Sequence, residues 1–206
     1  MDDARLRTGE EPFPSRALPI GSPGRKSSGW YGMMMLITTE ASLFVYLLFS
    51  YFYFAIWSGG SFLPSELPKF NLSAPDTAIL LLSSVVVWWG EKGARKGSHT
   101  QLSLGLLAGI VLGTIFVGVQ IMEWADKPYQ LNTSSYSSLY FIITGFHMVH
   151  VVVGMLILLA LLVWSLLGYF DRQRHAPVVI GAIYWHFVDA VWIAVFFTIY
   201  VSPHLG

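Results

Sequence analysis

Five stretches of this chain are apolar over about the length at which a helix crosses a bilayer, roughly 20 residues. They run from Trp30 to Trp57, Thr77 to Trp89, Leu102 to Trp124, Tyr136 to Trp164 and Val178 to Val201. The second reaches the required length when it begins near Ser73 and continues through Gly90 to Lys92, a residue whose long stem lets its ammonium snorkel to the interface. Polar or proline-marked connectors separate the runs at 63–68 and 132–135, and no internal repeat is present. The fold class this predicts is all-α, an integral membrane bundle of five transmembrane helices occupying residues 30–206.

Composition agrees: 54% of the 206 residues are hydrophobic and 12% charged, against about 25% charged in a typical soluble domain. Formal net charge is zero and basic residues form no patch interleaved with aromatics, so no nucleic-acid partner is expected. The absence of cysteine excludes disulfides, thiolate metal sites and a cysteine nucleophile. Any metal would have to be held by imidazole and carboxylate. Residues 1–29 are polar and carry Pro12, Pro14, Pro19 and Pro23, which reads as a disordered tail. The first apolar run begins too late and is too long for a cleaved signal, so it is expected to stay.

Basic residues near spans are retained on the cytoplasmic side. Ten of the twelve lie on alternate segments: Arg5, Arg7, Arg16, Arg25 and Lys26 in the tail, Lys92, Arg95 and Lys96 after the second span, Arg172 and Arg174 after the fourth. Lys69 and Lys127 lie on the other side. This predicts a cytoplasmic N-terminus and an outside C-terminus. In the third span Gly105, Gly109 and Gly113 form a small-residue stripe that admits close approach of another helix backbone. Trp30, Tyr31, Trp57, Trp88, Trp89, Trp124 and Trp164 cluster near span ends and read as interfacial belts rather than cofactor platforms.

Ionisable side chains within a bilayer are costly and turn inward, so each is a candidate for function. They are Glu40 in the first span, Glu123 near the end of the third, His147 and His150 in the fourth, and His186 with Asp189 in the fifth. At about 1.5 Å per residue, Glu40 lies roughly 15 Å in from the cytoplasmic start of its helix, His147 and His150 roughly 14 to 18 Å from the other side, and Asp189 roughly 16 Å up the last helix. Positions from three helices converge on one depth, which predicts a shared polar layer with Glu40 and Asp189 paired with imidazoles. On residue types alone four readings stand side by side. The HxxH and HxxD pairs could hold a metal, two histidines could ligate a haem between helices, the layer could relay protons or couple to a carried substrate, or these groups could hydrogen-bond across helices and fix the bundle.

The segments SSLYFIITGFHMVHVVVG at 137–154, YWHFVDAVWIAVFFTIY at 184–200, TTEASLF around Glu40 and VGVQIMEW from Val117 to Trp124 resemble, in order, those of the haem-copper oxidase subunit III family. The resemblance covers every span but the second. It is closest to the five-helix form found among bacterial enzymes, including quinol oxidases, since the seven-helix form opens with two further helices, forming the other wall of a lipid cleft, where this chain has only its tail. It implies an accessory subunit without a redox centre of its own, in the bacterial inner membrane. Its partners would be the catalytic subunit I, which carries haem and copper, and subunit II, with structural phospholipid beside it. Such a subunit stabilises the catalytic one, sustains proton uptake and shapes an oxygen route through lipid. By the same resemblance Glu40 matches the family's buried glutamate, His147, His150, His186 and Asp189 match its TGFH..H and WHF.D signatures, and Glu123 its helix-end glutamate. The electron donor, cytochrome c or a quinol, is not implied.

Overall fold

The computed structural model describes residues 28–58, 61–64, 68, 70–170 and 174–204. The tail reading therefore falls largely outside the described residues. Five helices follow in order: α1 Ser28–Trp57, α2 Phe70–Lys96, α3 His99–Ala125, α4 Ser135–Leu166 and α5 Ala176–Phe196. The last continues through a π-helical turn, Phe197–Val201, and a 3-10 turn, Ser202–His204. All five are long and apolar enough to cross a membrane, and no strand occurs among the described residues. The chain is a multi-pass membrane protein.

The helices extend past the apolar runs of the sequence reading, most of all in α2. Helix α1 takes in Ser28 and Gly29, which the reading assigned to the tail. Helix α2, Phe70–Lys96, runs beyond even the extended span from Ser73 to Lys92 at both ends. Its polar residues interrupt the hydropathy without interrupting the helix, because Ser73, Asp76, Ser83 and Glu91 all turn into the bundle. Lys92 lays its ammonium 3.3 Å from the centroid of the Trp88 ring, and Glu91 pairs with Arg95 at 2.6 Å.

The chain breaks between helices are specified locally. Gly97 and Gly168 adopt φ of 77° and 76°, a left-handed conformation that glycine takes without a Cβ penalty. Each closes its helix with the paired bonds of a Schellman cap: Ser98 N–H to the Gly93 carbonyl and Gly97 N–H to that of Ala94, then Tyr169 to Trp164 and Gly168 to Ser165. Ser98 also caps α3. Ser134 and Ser137 form a reciprocal capping box at the start of α4.

Helices α2, α3, α4 and α5 pack in a closed ring, each against the next and α5 against α2. Helix α1 packs outside it on the α4–α5 edge. The asymmetry is large: half of the apolar window of α5 is buried, against 6% of that of α1. Helix α5 supplies the centre of the ring through Trp185 and Trp192, both fully buried. The Trp185 indole fills the space that Gly113 and Gly154 leave open, since a Cβ on either glycine would lie 2.8 Å from its ring. Its Nε1–H donates to Ser83 Oγ at 3.1 Å, and that of Trp192 to Thr77 Oγ1 at 3.0 Å. These bonds satisfy the polar edge of a buried indole and fasten α5 to α2.

Candidate functional site

The intramembrane polar residues sit on the inner faces of the helices and form separate ties rather than one continuous layer. Glu40 of α1 meets His150 of α4, with Nε2 2.9 Å from Oε2. The Nδ1 of His150 lies 2.6 Å from the Phe146 carbonyl, so both ring nitrogens face acceptors. Nδ1–H donates to that carbonyl, and Nε2 and the carboxylate must then hold one proton between them. The pair is neutral in sum, whichever atom carries that proton. It is also off the bundle centre, with 29% of the Glu40 side chain and 11% of that of His150 exposed.

His147, one turn earlier on the same helix, reaches α5 instead. Its Nε2–H donates to the Val188 carbonyl of α5 at 3.2 Å. The ring lies 4.7 Å from Trp192 and 5.9 Å from Phe116, centroid to centroid. His186 Nδ1 hydrogen-bonds with Ser84 Oγ of α2. Asp189 faces the same hydroxyl, but neither of its carboxylate oxygens is in hydrogen-bond geometry with any group. The expected pairing of Asp189 with an imidazole is therefore not formed. Residues three apart share a helix face, yet both side chains project away from that helix, and the short aspartate does not bridge back to its neighbour.

Glu123 closes the far end of the ring. Its Oε1 accepts from Tyr200 at 2.7 Å and, at 3.4 Å, from Tyr140, and forms an ion pair with Lys127 at 2.9 Å. Helices α3, α4 and α5 meet at this one carboxylate. The glycine stripe works along the length of α3: Gly105 lies against the backbone of Gly90, Gly109 against Val87, and Gly113 against Trp185 and Met155. Gly105 and Gly109 thus admit α2, and Gly113 admits the other two ring helices.

Sequence reasoning passed over Asp76 and Gln120, both buried. Asp76 lies in the polar extension of the second span back to Ser73, outside its apolar run, and Gln120 is polar without being ionisable. Among the described residues no group of three or more His, Asp and Glu side chains is placed to hold a metal ion. His147 and His150 bond to different helices, and each has its Nε2 taken up by a protein group.

Fold and ties together define a class: a multi-spanning membrane helix bundle in which Glu40, Glu123, His147, His150 and His186 link its own helices. A family model described as cytochrome c oxidase subunit III matches residues 26–203. The chain belongs to this family, the accessory third subunits of haem-copper oxidases. It is 35% identical over 177 residues to cytochrome c oxidase subunit 3 of Drosophila melanogaster, 33% to that of Anopheles gambiae and 32% to that of Danio rerio, in each case over 82% of this chain and 68% of the relative.

Proposed function

We propose that this chain is the redox-centre-free support subunit of a proton-pumping terminal oxidase in the bacterial inner membrane, with its N-terminus in the cytoplasm. In this reading it packs against a catalytic subunit I that carries haem and copper, beside subunit II, and contributes stability and sustained proton uptake rather than chemistry. Lipid along its flank shapes the access of oxygen. The observation that supports this most directly is the use made of its histidines. His147, His150 and His186 each bond to a neighbouring helix or to their own backbone. A bundle built this way is a fixed body, suited to be packed against rather than to carry a redox group between its helices. The orientation rests on the ten basic residues on alternate segments.

Purification through a tag on this chain in mild detergent tests the reading. A haem- and copper-bearing partner should co-purify in stoichiometric amount, with a Soret band in the complex and none in the isolated subunit. Recovery of this chain alone overturns the reading, and a Soret band or stoichiometric metal in the isolated subunit would replace it with a metal- or haem-binding one.

A further inference from the structure

Helices α2 and α3 run antiparallel from the short turn at Gly97 and Ser98, and their register is fixed by close contacts. A Cβ on Gly105 would lie 2.6 Å from Gly90 Cα, and one on Gly109 2.5 Å from Val87 Cγ2. The buried stripes step onward by alternating threes and fours, through Val87, Ser83, Leu80 and Asp76 on α2 and through Gly109, Gly113, Phe116, Gln120 and Glu123 on α3. Carried along, the register sets Asp76 opposite Gln120, with Glu123 one turn beyond. The Glu123 carboxylate is close enough to Asp76 to act on its charge.

This part of the seam is closed and unsatisfied. Asp76 and Gln120 are each 1% exposed. Both carboxylate oxygens of Asp76, both amide atoms of Gln120 and Oε2 of Glu123 have no hydrogen-bond partner. Lys127 binds the other oxygen of Glu123, and no basic side chain among the described residues pairs with Asp76. An unpaired buried carboxylate costs several kcal/mol, so this one is either held protonated or compensated by a small cation. Burial excludes a lipid headgroup or a side chain from another subunit. Of these five unsatisfied atoms four are oxygens and one, the Gln120 amide nitrogen, is a donor. With both carboxylates ionised, as a bound cation would require, two against the Lys127 ammonium leave one negative charge. Hard oxygen donors with a single surplus charge suit an alkali cation rather than a transition metal.

We propose that a sodium-sized monovalent cation binds between α2 and α3, held by Asp76, the Gln120 amide oxygen and the free oxygen of Glu123. This is independent of the oxidase assignment. It is tested on the purified full chain in detergent by thermal unfolding in NaCl against choline chloride at equal ionic strength, and by equilibrium dialysis with radioactive sodium. The wild type should retain about one sodium per chain, and its midpoint should rise by several degrees and saturate with NaCl, as a ligand bound only to the folded state requires. Asp76→Asn should lose both effects while unfolding in choline no earlier than the wild type. Coincident sodium and choline curves, a rise with Ca²⁺ alone, an unchanged sodium effect in the variant, or no retained sodium overturns the proposal.

Discussion

Glu40 and His150 show how much one proton can decide. Because the Phe146 carbonyl occupies Nδ1, the carboxylate and Nε2 must share a proton, and deleting either partner leaves the other facing an acceptor or a bare charge. A double-mutant cycle with Glu40→Gln and His150→Gln, read by thermal unfolding in detergent, should give a coupling of about 1 kcal/mol, in the range of contacting polar pairs. Coupling near zero would mean that α1 is held by apolar packing alone. In the assembled oxidase, Glu40→Gln should lower the yield of complex and leave the chemistry of oxygen reduction in the complexes that form. At the opposite end of the ring, Tyr200→Phe removes one hydroxyl bonded to Glu123 at 2.7 Å. A charge-assisted hydrogen bond of this kind contributes about 1.5–3 kcal/mol, and the loss should appear in the unfolding midpoint. His147 and His150 were recognisable in the sequence as buried polar residues, and so was Glu40. That Glu40 meets an imidazole was also legible; which imidazole it meets, and what His147 meets, was not, since that depends on helix rotation, and apolar surfaces facing lipid and protein have similar composition.

At the scale of the element, α3 offers an internal comparison. A Cβ on Gly105 would meet Gly90 backbone atoms at 2.6 and 2.9 Å, whereas one on Gly118 of the same helix meets nothing within 4 Å. Gly105→Ala should therefore destabilise the bundle by about 1–3 kcal/mol, the usual cost of overpacking. Gly118→Ala should be neutral or stabilising by up to about 1 kcal/mol through helix propensity. Equal effects of the two, measured as unfolding midpoints, would contradict the α2–α3 register. The stripe itself was readable from the spacing of its glycines. The extent of α2 was less so, because Asp76 and Glu91 lower the hydropathy of the segment although both are turned inward. Trp185 and Trp192 show a further limit of sequence. Nothing in the letters separates an indole at an interface from one at the centre of a ring, and the difference lies in Ser83, Thr77 and two facing glycines on other helices.

For the whole molecule, the consequential feature is that the helix outermost in space comes first among the five in sequence. Helix α1 packs on α4 and α5, so its partners do not exist while it is being inserted. The α2–α3 hairpin closes on itself as soon as α3 is made. Glu40, by contrast, waits for His150, which lies 110 residues downstream. At roughly 5–20 residues per second of synthesis, the carboxyl group spends about 5–20 s in or beside the membrane without the imidazole that shares its proton. Chains truncated after α3 should be degraded faster than the same truncation carrying Glu40→Leu, measured by pulse-chase. Equal lifetimes would show that the waiting carboxylate is already sheltered. Faster loss of the truncated chain that keeps Glu40 would mean that the pair fastening α1 in the finished subunit also distinguishes a nascent chain that has reached its fourth helix from one that has not.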